Sequence, residues 1–320
     1  MYSRGIAFVT SSLSVVGGSC VNLMENVNFR AANDLEIDHI KSVIASSIPE
    51  FIHKFPNPYE TQRIEIPDGP AYSIEYHYLP RTEWKYWVVD FIAGNGTIFD
   101  LDVIAQVLPF PFKIGFMSLY ADNSSVLGSG GRVQLVHGLN ELQSMFHPGV
   151  REIVVNVDQI SSLSSLYKRF CSIKEGFEFV RSAVENFSAL RGIPFGSDLI
   201  VVGLFSIIES LVTHAPRSNE TLDSVTHQIV NKIALLKRMY ESPVSASVYF
   251  DADAKEDVIW KKLYRYRSSV AHGTPVVWDA GDFLILKNRY LVIDFLFYNV
   301  RELIKLGLSD PDFLSDLRKC

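Results

Sequence analysis

The stretch LYRYRSSVAHG at residues 263–273 decides how the second half of the chain folds. Ile259, Leu263, Tyr266 and Val270 follow one another at steps of four, three and four residues. Side chains at this spacing lie on one face of an α-helix. The pattern therefore predicts a helix that buries these four residues.

Two residues of this stretch, Arg267 and His272, combine chemistry that suits phosphodiester cleavage. A guanidinium binds phosphate and stabilises developing negative charge, and an imidazole moves protons near neutral pH. Five residues on an ideal helix correspond to about 140° of rotation, so a bend, a frayed end or a partner helix is needed for the two to converge. The spacing alone is more often that of a surface arginine and a helix-terminal histidine favoured by the helix dipole.

The flanking residues carry a resemblance to a known family. At residues 263–273 a Tyr-x-x-Arg-Ser pattern runs into a His-Gly pair, and this string closely resembles the signature of Apea-like HEPN domains. Upstream, FSIIESLV at residues 205–212 resembles the preceding helix of that family, in which an Ala or Ser, a Glu and a Leu recur. The resemblance covers about residues 160–310.

This resemblance implies a bundle of four or more helices that forms a homodimer and brings two Arg-His motifs into one cleft. It also implies cleavage of RNA without a metal or cofactor, leaving cyclic phosphate ends. Arg267 is then expected to bind the scissile phosphate, and His272 to act as acid or base. Ser268 stands where HEPN nucleases favour a polar residue. Glu209 either orients Arg267 through an ion pair across helices or is a structural carboxylate.

The overall charge limits how the chain holds RNA. A net charge of −6 and a pI near 5.8 argue against binding through a broad basic surface. Contact with RNA is therefore expected to be local, with Tyr264 and Lys262 as the substrate-binding residues. The basic residues that cluster here, equally compatible with a solvated helix face, are Lys255, Lys261, Lys262, Arg265 and Arg267.

The 320 residues are enough for two compact domains. The patterns predict an α+β protein with a mixed, strand-rich domain at residues 1–158 and an all-α, HEPN-like bundle at 159–320. The first domain is the natural place for a sensor or regulator that responds to a ligand or protein trigger, and its one clear helix is predicted at 34–52. Its predicted strands, the first two forming a hairpin, are 71–79, 83–92, 112–120, 132–137 and 152–157.

Helical periodicity dominates from about residue 161. The helix at 199–214 is apolar on nearly all sides and is expected to be central, with Ser197 or Asp198 as its cap. Asn219 or Thr221 is expected to cap the next helix, and the chain is expected to end in an exposed charged tail. The predicted helices are 163–190, 199–214, 219–240, 255–272 and 286–306.

Three other patterns indicate structure more than chemistry. Residues 128–132, GSGGR, lack the Gly-Lys-Ser/Thr ending of a P-loop, so a hairpin loop is favoured. Asp251 and Asp253 have no EF-hand register and precede a helix, which indicates capping. The aromatic residues between 72 and 87 favour a sheet core over a surface for stacking bases.

Cysteine spacing and hydropathy bear on location. Cys20, Cys171 and Cys320 are widely spaced, which indicates neither a disulfide framework nor a zinc site and predicts a reducing, cytoplasmic compartment. No apolar segment reaches the roughly 20 residues that a membrane span needs, so no membrane partner is expected.

Three functions follow from these patterns. The first is a metal-independent endoribonuclease effector, acting in prokaryotic anti-phage defence or as a growth-arresting toxin and restrained by its N-terminal domain. The second is a HEPN module that has lost activity and dimerises or binds nucleic acid to regulate a partner protein. The third, an enzyme whose chemistry lies in the first half, has only the glycine-rich stretch and the aromatic residues behind it.

Overall fold

The computed structural model describes residues 4–52, 54–68, 71–92, 98–120, 131–147, 150–216, 223–251 and 253–320. The chain divides into two compact units, Met1–Lys168 and Arg169–Cys320. The first is rich in strands and the second is helical, so the protein is α+β, as predicted. The division falls at residue 168, inside a helix, whereas the sequence placed it at residue 158, close to where that helix begins.

One antiparallel sheet organises the first unit. The strands of the described residues are β1 (Arg4–Val9), β2 (Leu13–Val16), β3 (Cys20–Met24), β4 (Val27–Ala31), β5 (Thr61–Asp68), β6 (Ala71–Tyr78), β7 (Trp87–Ile92), β8 (Ile114–Tyr120), β9 (Arg132–Leu135) and β10 (Ile153–Asn156). Six of them form this sheet in the order β3-β4-β7-β1-β8-β9, while β5 pairs with β6 antiparallel and β2 pairs with β10 parallel.

Strand β1 lies at the centre of this sheet, between β7 and β8. It is buried from its second residue to its last, which is typical of a strand covered on both faces. On one face, Ile6 and Phe8 share a core with Ile37, Ile40 and Ile44 of helix α1 (Asp34–Ser47). The core of the first unit is therefore built between this helix and the central strands.

The predicted hairpin between residues 71–79 and 83–92 is wrong. Strand β6 pairs with β5, and β7 lies between β1 and β4 in the large sheet. The two strands bury different amounts of surface, since β7 is mostly buried and the described side chains of β6 are mostly exposed. Pro80 and a short 3-10 helix, Arg81–Glu83, connect β6 of the two-stranded sheet to β7 of the six-stranded sheet.

The predicted helix at 34–52 is present in two pieces, α1 and α2 (Pro49–Ile52). Helix α1 starts with a capping box, in which the Glu36 N–H donates to Asn33 Oδ1 at 3.0 Å and the Asn33 N–H donates to Glu36 Oε2 at 2.8 Å. The sequence patterns did not predict two further short helices of this unit, α3 (Ile98–Ala105) and α4 (Leu139–Ser144).

Helix α7 (Leu199–Val212) is the centre of the second unit, as its pattern predicted. Eight of its 14 residues are buried. The helices that contact it are α6 (Glu178–Ala189), α8 (Val225–Leu236), α9 (Glu256–Ala271), α10 (Arg289–Ser309) and α11 (Pro311–Lys319). The predicted helices at 255–272 and 286–306 are confirmed as α9 and α10.

The single helix predicted at 163–190 is wrong. Two helices occupy this range, α5 (Val157–Cys171) and α6, with a turn between them. Gly176 in this turn has φ +92°, in the left-handed region that glycine adopts without strain, and its N–H donates to the Glu178 carboxylate at 3.0 Å. An apolar stripe of helical period continues across the turn, which is why periodicity alone joined the two helices.

The predicted exposed tail is also wrong, because residues 311–319 form helix α11. Leu314 is fully buried and lies close to Gly307 of α10, where a Cβ would be 3.0 Å from the Leu314 Cδ1. A glycine at this position lets the two helices approach closely. The segment is only nine residues long, and its three large apolar residues, Phe313, Leu314 and Leu317, alternate with charged ones, which is a weak sequence signal for such packing.

The predicted caps agree with the structure only in part. At the start of α7, the Leu199 N–H donates to the Ser197 hydroxyl at 3.3 Å, as predicted for Ser197. Asn219 and Thr221 lie outside the described residues, and the Ser224 hydroxyl accepts from the His227 N–H at the start of α8. Capping by Asp251 or Asp253 is wrong, since α9 begins after Lys255 without a side-chain cap. Residues 128–130 of the glycine-rich stretch likewise lie outside the described residues.

None of the described helices is long and apolar enough to cross a membrane. The three cysteines, Cys20, Cys171 and Cys320, are exposed and form no disulfide.

The central place of α7 predicts a large stability difference between two leucines of that helix. Leu204 is fully buried, so Leu204→Ala is expected to lower the free energy of unfolding by about 2–5 kcal/mol through the cavity it leaves. Leu199 is 61% exposed, so Leu199→Ala is expected to change it by at most about 0.5 kcal/mol. Urea denaturation of the full-length variants measures both values, and equal stability would contradict this packing.

Candidate active site

Helices α7 and α9 bring Glu209 and Arg267 together. Arg267 Nη2 lies 3.2 Å from Glu209 Oε1 and donates a hydrogen bond to Oε2 at 3.4 Å. Both side chains are about three-quarters buried, with 25% and 24% of their surface exposed. The ion pair that was one of two expected roles for Glu209 is therefore present.

Tyr264 completes the surroundings of the guanidinium. The Arg267 Cζ lies 5.5 Å from the centre of the Tyr264 ring, within the range of a cation–π contact. The ring packs edge-on against Phe205 of α7, at 5.6 Å between ring centres. Arg267 is thus held by a carboxylate from one helix and by an aromatic ring from its own helix.

Burial sets the electrostatics of this pair. It raises the pKa of the Glu209 carboxyl above its ordinary value, and the nearby Arg267 charge offsets that effect only in part. Burial also raises the pKa of the Tyr264 hydroxyl. The ion pair therefore exists in surroundings that disfavour a buried negative charge.

His272 lies just beyond the end of α9 and is exposed. Its backbone N–H donates to the Ser268 carbonyl at 3.0 Å, and Gly273 has φ +68° and ends the helix. Among the described residues, no hydrogen bond or ion pair joins the His272 imidazole to Arg267 or to Glu209. The structure therefore brings together Arg267, Glu209 and Tyr264, and leaves His272 apart from them in one chain.

The two other predicted residues have different surroundings. Lys262 forms an ion pair with Asp282, which also pairs with Arg265. These two cations lower the pKa of Asp282, with the Lys262 hydrogen bond as the larger cause. Ser268 is partly buried, and its carbonyl accepts a hydrogen bond from the His272 N–H at the end of the helix. Neither residue contacts the Arg267 guanidinium in any described interaction.

A second polar link between α7 and α9 was missed by the sequence. The buried Tyr266 hydroxyl donates to Asp198, and burial raises the pKa of that hydroxyl. Asp198 was expected to cap α7, but its side chain makes no capping hydrogen bond and accepts from Tyr266 instead. The only local signal was a tyrosine at a core position, since a buried tyrosine hydroxyl usually needs a partner.

Over the described ranges, no group of three or more His, Cys, Asp and Glu side chains is placed to hold a metal ion. Comparison with models of known protein families, with characterised proteins and with solved structures gave no match.

The Arg267–Glu209 contact predicts a directional change in pKa. Arg267→Met is expected to raise the pKa of the Glu209 carboxyl further, because burial remains and the offsetting charge is lost. Titration of the glutamate carboxyl carbons by NMR measures this change. Arg265→Met, on the exposed side of the same helix, is the control and is expected to leave the Glu209 pKa unchanged.

The raised pKa of Glu209 also predicts how the stability of the fold changes with pH. A carboxyl whose pKa is raised by folding contributes stability that is present below its unfolded pKa and is lost as the pH rises through its folded pKa. The stability of the Glu209→Gln variant relative to the unaltered chain is therefore expected to rise as the pH is raised from just below 4.5, the ordinary value of the glutamate pKa. Urea denaturation of both chains across this range checks it, and a fall in the relative stability of the variant would contradict the direction.

Proposed function

We propose that the chain is a metal-independent endoribonuclease effector of the HEPN type, with Arg267 and His272 as its catalytic residues. The observation that carries the proposal is the position of the Arg267 guanidinium, which is held by Glu209 of α7 and by Tyr264 of α9. Arg267 lies on α9, and the exposed His272 follows the end of that helix. This arrangement of side chains supports the function that the resemblance of residues 263–273 to Apea-like HEPN domains implies.

The chemistry divides between the two residues. Arg267, kept in position by Glu209, binds a non-bridging phosphate oxygen and stabilises the charge that develops during cleavage. Because Glu209 is costly to keep charged in its buried surroundings, an incoming phosphate competes with it for the guanidinium. His272 takes a proton from the attacking 2′-hydroxyl or gives one to the leaving oxygen. These steps need no metal ion and leave a cyclic phosphate.

A second copy of the chain is part of this proposal. Arg267 and His272 are about 140° apart around an ideal helix, and no described hydrogen bond or ion pair joins them in one chain. A homodimer in which two α9 helices face each other places the Arg267 of one protomer and the His272 of the other in one cleft. Ser268, Tyr264 and Lys262 then lie along the helix that RNA approaches.

The biological setting is part of the same proposal. An RNase of this kind suits a cytoplasmic effector of prokaryotic anti-phage defence or a growth-arresting toxin. The strand-rich first unit then serves as the part that senses a protein or ligand trigger and restrains cleavage.

One observation favours a second candidate, an inactive HEPN module that dimerises or binds nucleic acid to regulate a partner. The Arg267 guanidinium is already engaged by Glu209 and Tyr264, and His272 has no described side-chain partner that orients its ring. A catalytic histidine is usually oriented by a hydrogen bond. In this candidate the ion pair is purely structural.

Cleavage of total RNA by the purified chain distinguishes the two candidates. Arg267→Ala and His272→Ala are each expected to lower the cleavage rate by about 100-fold or more, while chelation of metal ions leaves the rate unchanged. Arg265→Ala, which removes an exposed arginine two residues from Arg267, is the matched control and is expected to retain the rate.

His272 is exposed, so its substitution is expected to leave the fold intact, which circular dichroism checks. Undiminished cleavage by folded His272→Ala would rule out its catalytic role. Absence of cleavage both by the purified, dimeric chain and in phage-challenged cells that express it, where the trigger that releases the restraint is present, would favour the inactive module.

Two measurements test the proposed dimer, its mass and the restoration of cleavage when two inactive variants are mixed. Sedimentation velocity is expected to give a species of twice the 36.1 kDa chain mass at micromolar concentration. Mixing Arg267→Ala chains with His272→Ala chains is expected to restore part of the cleavage, because half of the resulting heterodimers' motif pairs combine an intact Arg267 with an intact His272. A strictly monomeric chain that still cleaves RNA would contradict the shared cleft.

A further inference from the structure

Two adjoining cavities lie in the first unit, at the end of the central strand β1. One measures about 340 Å³ and is lined in part by Thr10, Ser11 and Ser12. The other measures about 280 Å³, and Ser12 and Arg151 line both cavities. Ligand sites commonly measure about 300–1,000 Å³, so the two together have the size of a site for a small molecule.

The larger cavity offers an apolar wall. Pro111, Met145, Val150 and Ile153 are the apolar side chains of its lining. Lys113 Nζ pairs with Glu141 at 2.7 Å, and Arg151 Nη2 lies 3.3 Å from the Glu65 carboxylate, so each of the charged side chains in this lining faces an opposite charge. The lining fits an apolar or aromatic group.

The Ser12 hydroxyl is placed to meet a ligand at the junction of the cavities. Its neighbours are occupied, since Thr10 Oγ1 donates to the Lys113 carbonyl at 3.3 Å and Ser11 Oγ accepts from the Lys113 N–H at 3.1 Å. Ser12 is buried, with 5% of its surface exposed, and what remains exposed of it lines both cavities. Among the described residues its hydroxyl makes no hydrogen bond, and because the hydroxyl is not sealed from solvent it can bond water or a molecule that enters the cavities.

The smaller cavity is polar but balanced in charge. Arg63 pairs with Glu65, and Arg151 Nη2 lies 3.3 Å from the same carboxylate. Glu152 pairs with Lys85 at 2.6 Å. Because each charged group of this wall already faces an opposite charge, it favours hydroxyl groups, which both donate and accept hydrogen bonds, over an ion.

We infer that the two cavities form one binding site for an uncharged small molecule with an aromatic or apolar end and a polyhydroxyl end. The apolar end occupies the larger cavity, the hydroxyls meet the paired charges of the smaller one, and the Ser12 hydroxyl bonds the ligand between them. Nucleosides and aryl glycosides share this chemistry. The inference stands independently of RNA cleavage.

Binding to the full-length chain tests the site. Adenosine and p-nitrophenyl β-D-glucoside are the two uncharged probes, and AMP is the charged counterpart of the first. Saturation-transfer NMR is expected to detect saturable binding of at least one uncharged probe below about 10 mM. Adenosine alone would assign a nucleoside site, and the glucoside alone a glycoside site. AMP is expected to bind less tightly than adenosine.

Two variants with matched controls locate the binding. Ser12→Ala and Arg151→Ala are each expected to weaken binding by about three- to tenfold, the loss of one hydrogen bond. Ser73→Ala and Arg132→Ala, which change exposed residues of the same unit outside the cavities, are expected to leave affinity unchanged. The inference is overturned by the absence of saturable binding of both uncharged probes, by tighter binding of AMP, or by unchanged affinity in both cavity variants.

Discussion

The burial of helix α7 is the constraint on which the second unit depends. A helix that is apolar on nearly every side is removed from water only when other helices surround it, and α6, α8, α9, α10 and α11 do so. This packing fixes α9 against α7. The meeting of Arg267 with Glu209 is a consequence, because each lies at the edge of the buried face of its helix.

The polar contacts between these two helices fix the position of α9 relative to α7 more than they stabilise the fold. The pKa of Glu209 is raised despite the neighbouring guanidinium, so burial costs this carboxylate more than the ion pair returns. The Tyr266 hydroxyl makes a second link at the other end of α7, through Asp198. Two such links set the alignment of α9 along α7, and a guanidinium of fixed position is what phosphate recognition requires.

The first unit depends on strand β1 in a comparable way. Its apolar residues are covered on both faces, and the chain that leaves it continues through three hydroxyl residues, Thr10 to Ser12. Two of these hydroxyls bond the backbone at the start of β8, which ties the neighbouring strands together. The third faces the cavities. A change from apolar to polar residues at the end of a buried strand thus separates core from candidate ligand site.

The sequence by itself determined the α+β class, the central helix α7, and the helix that carries Arg267 and ends beside His272. It also proposed Glu209 as one partner of Arg267. Only the tertiary structure decided the partners of β6 and β7, the burial of Leu314, the Tyr266–Asp198 bond and the cavities beside Ser12. The physical reason is the range of the interactions. Helical hydrogen bonds and side-chain spacing are set within a few residues, whereas strand partners, cross-helix contacts and cavity walls join residues that are far apart in the chain.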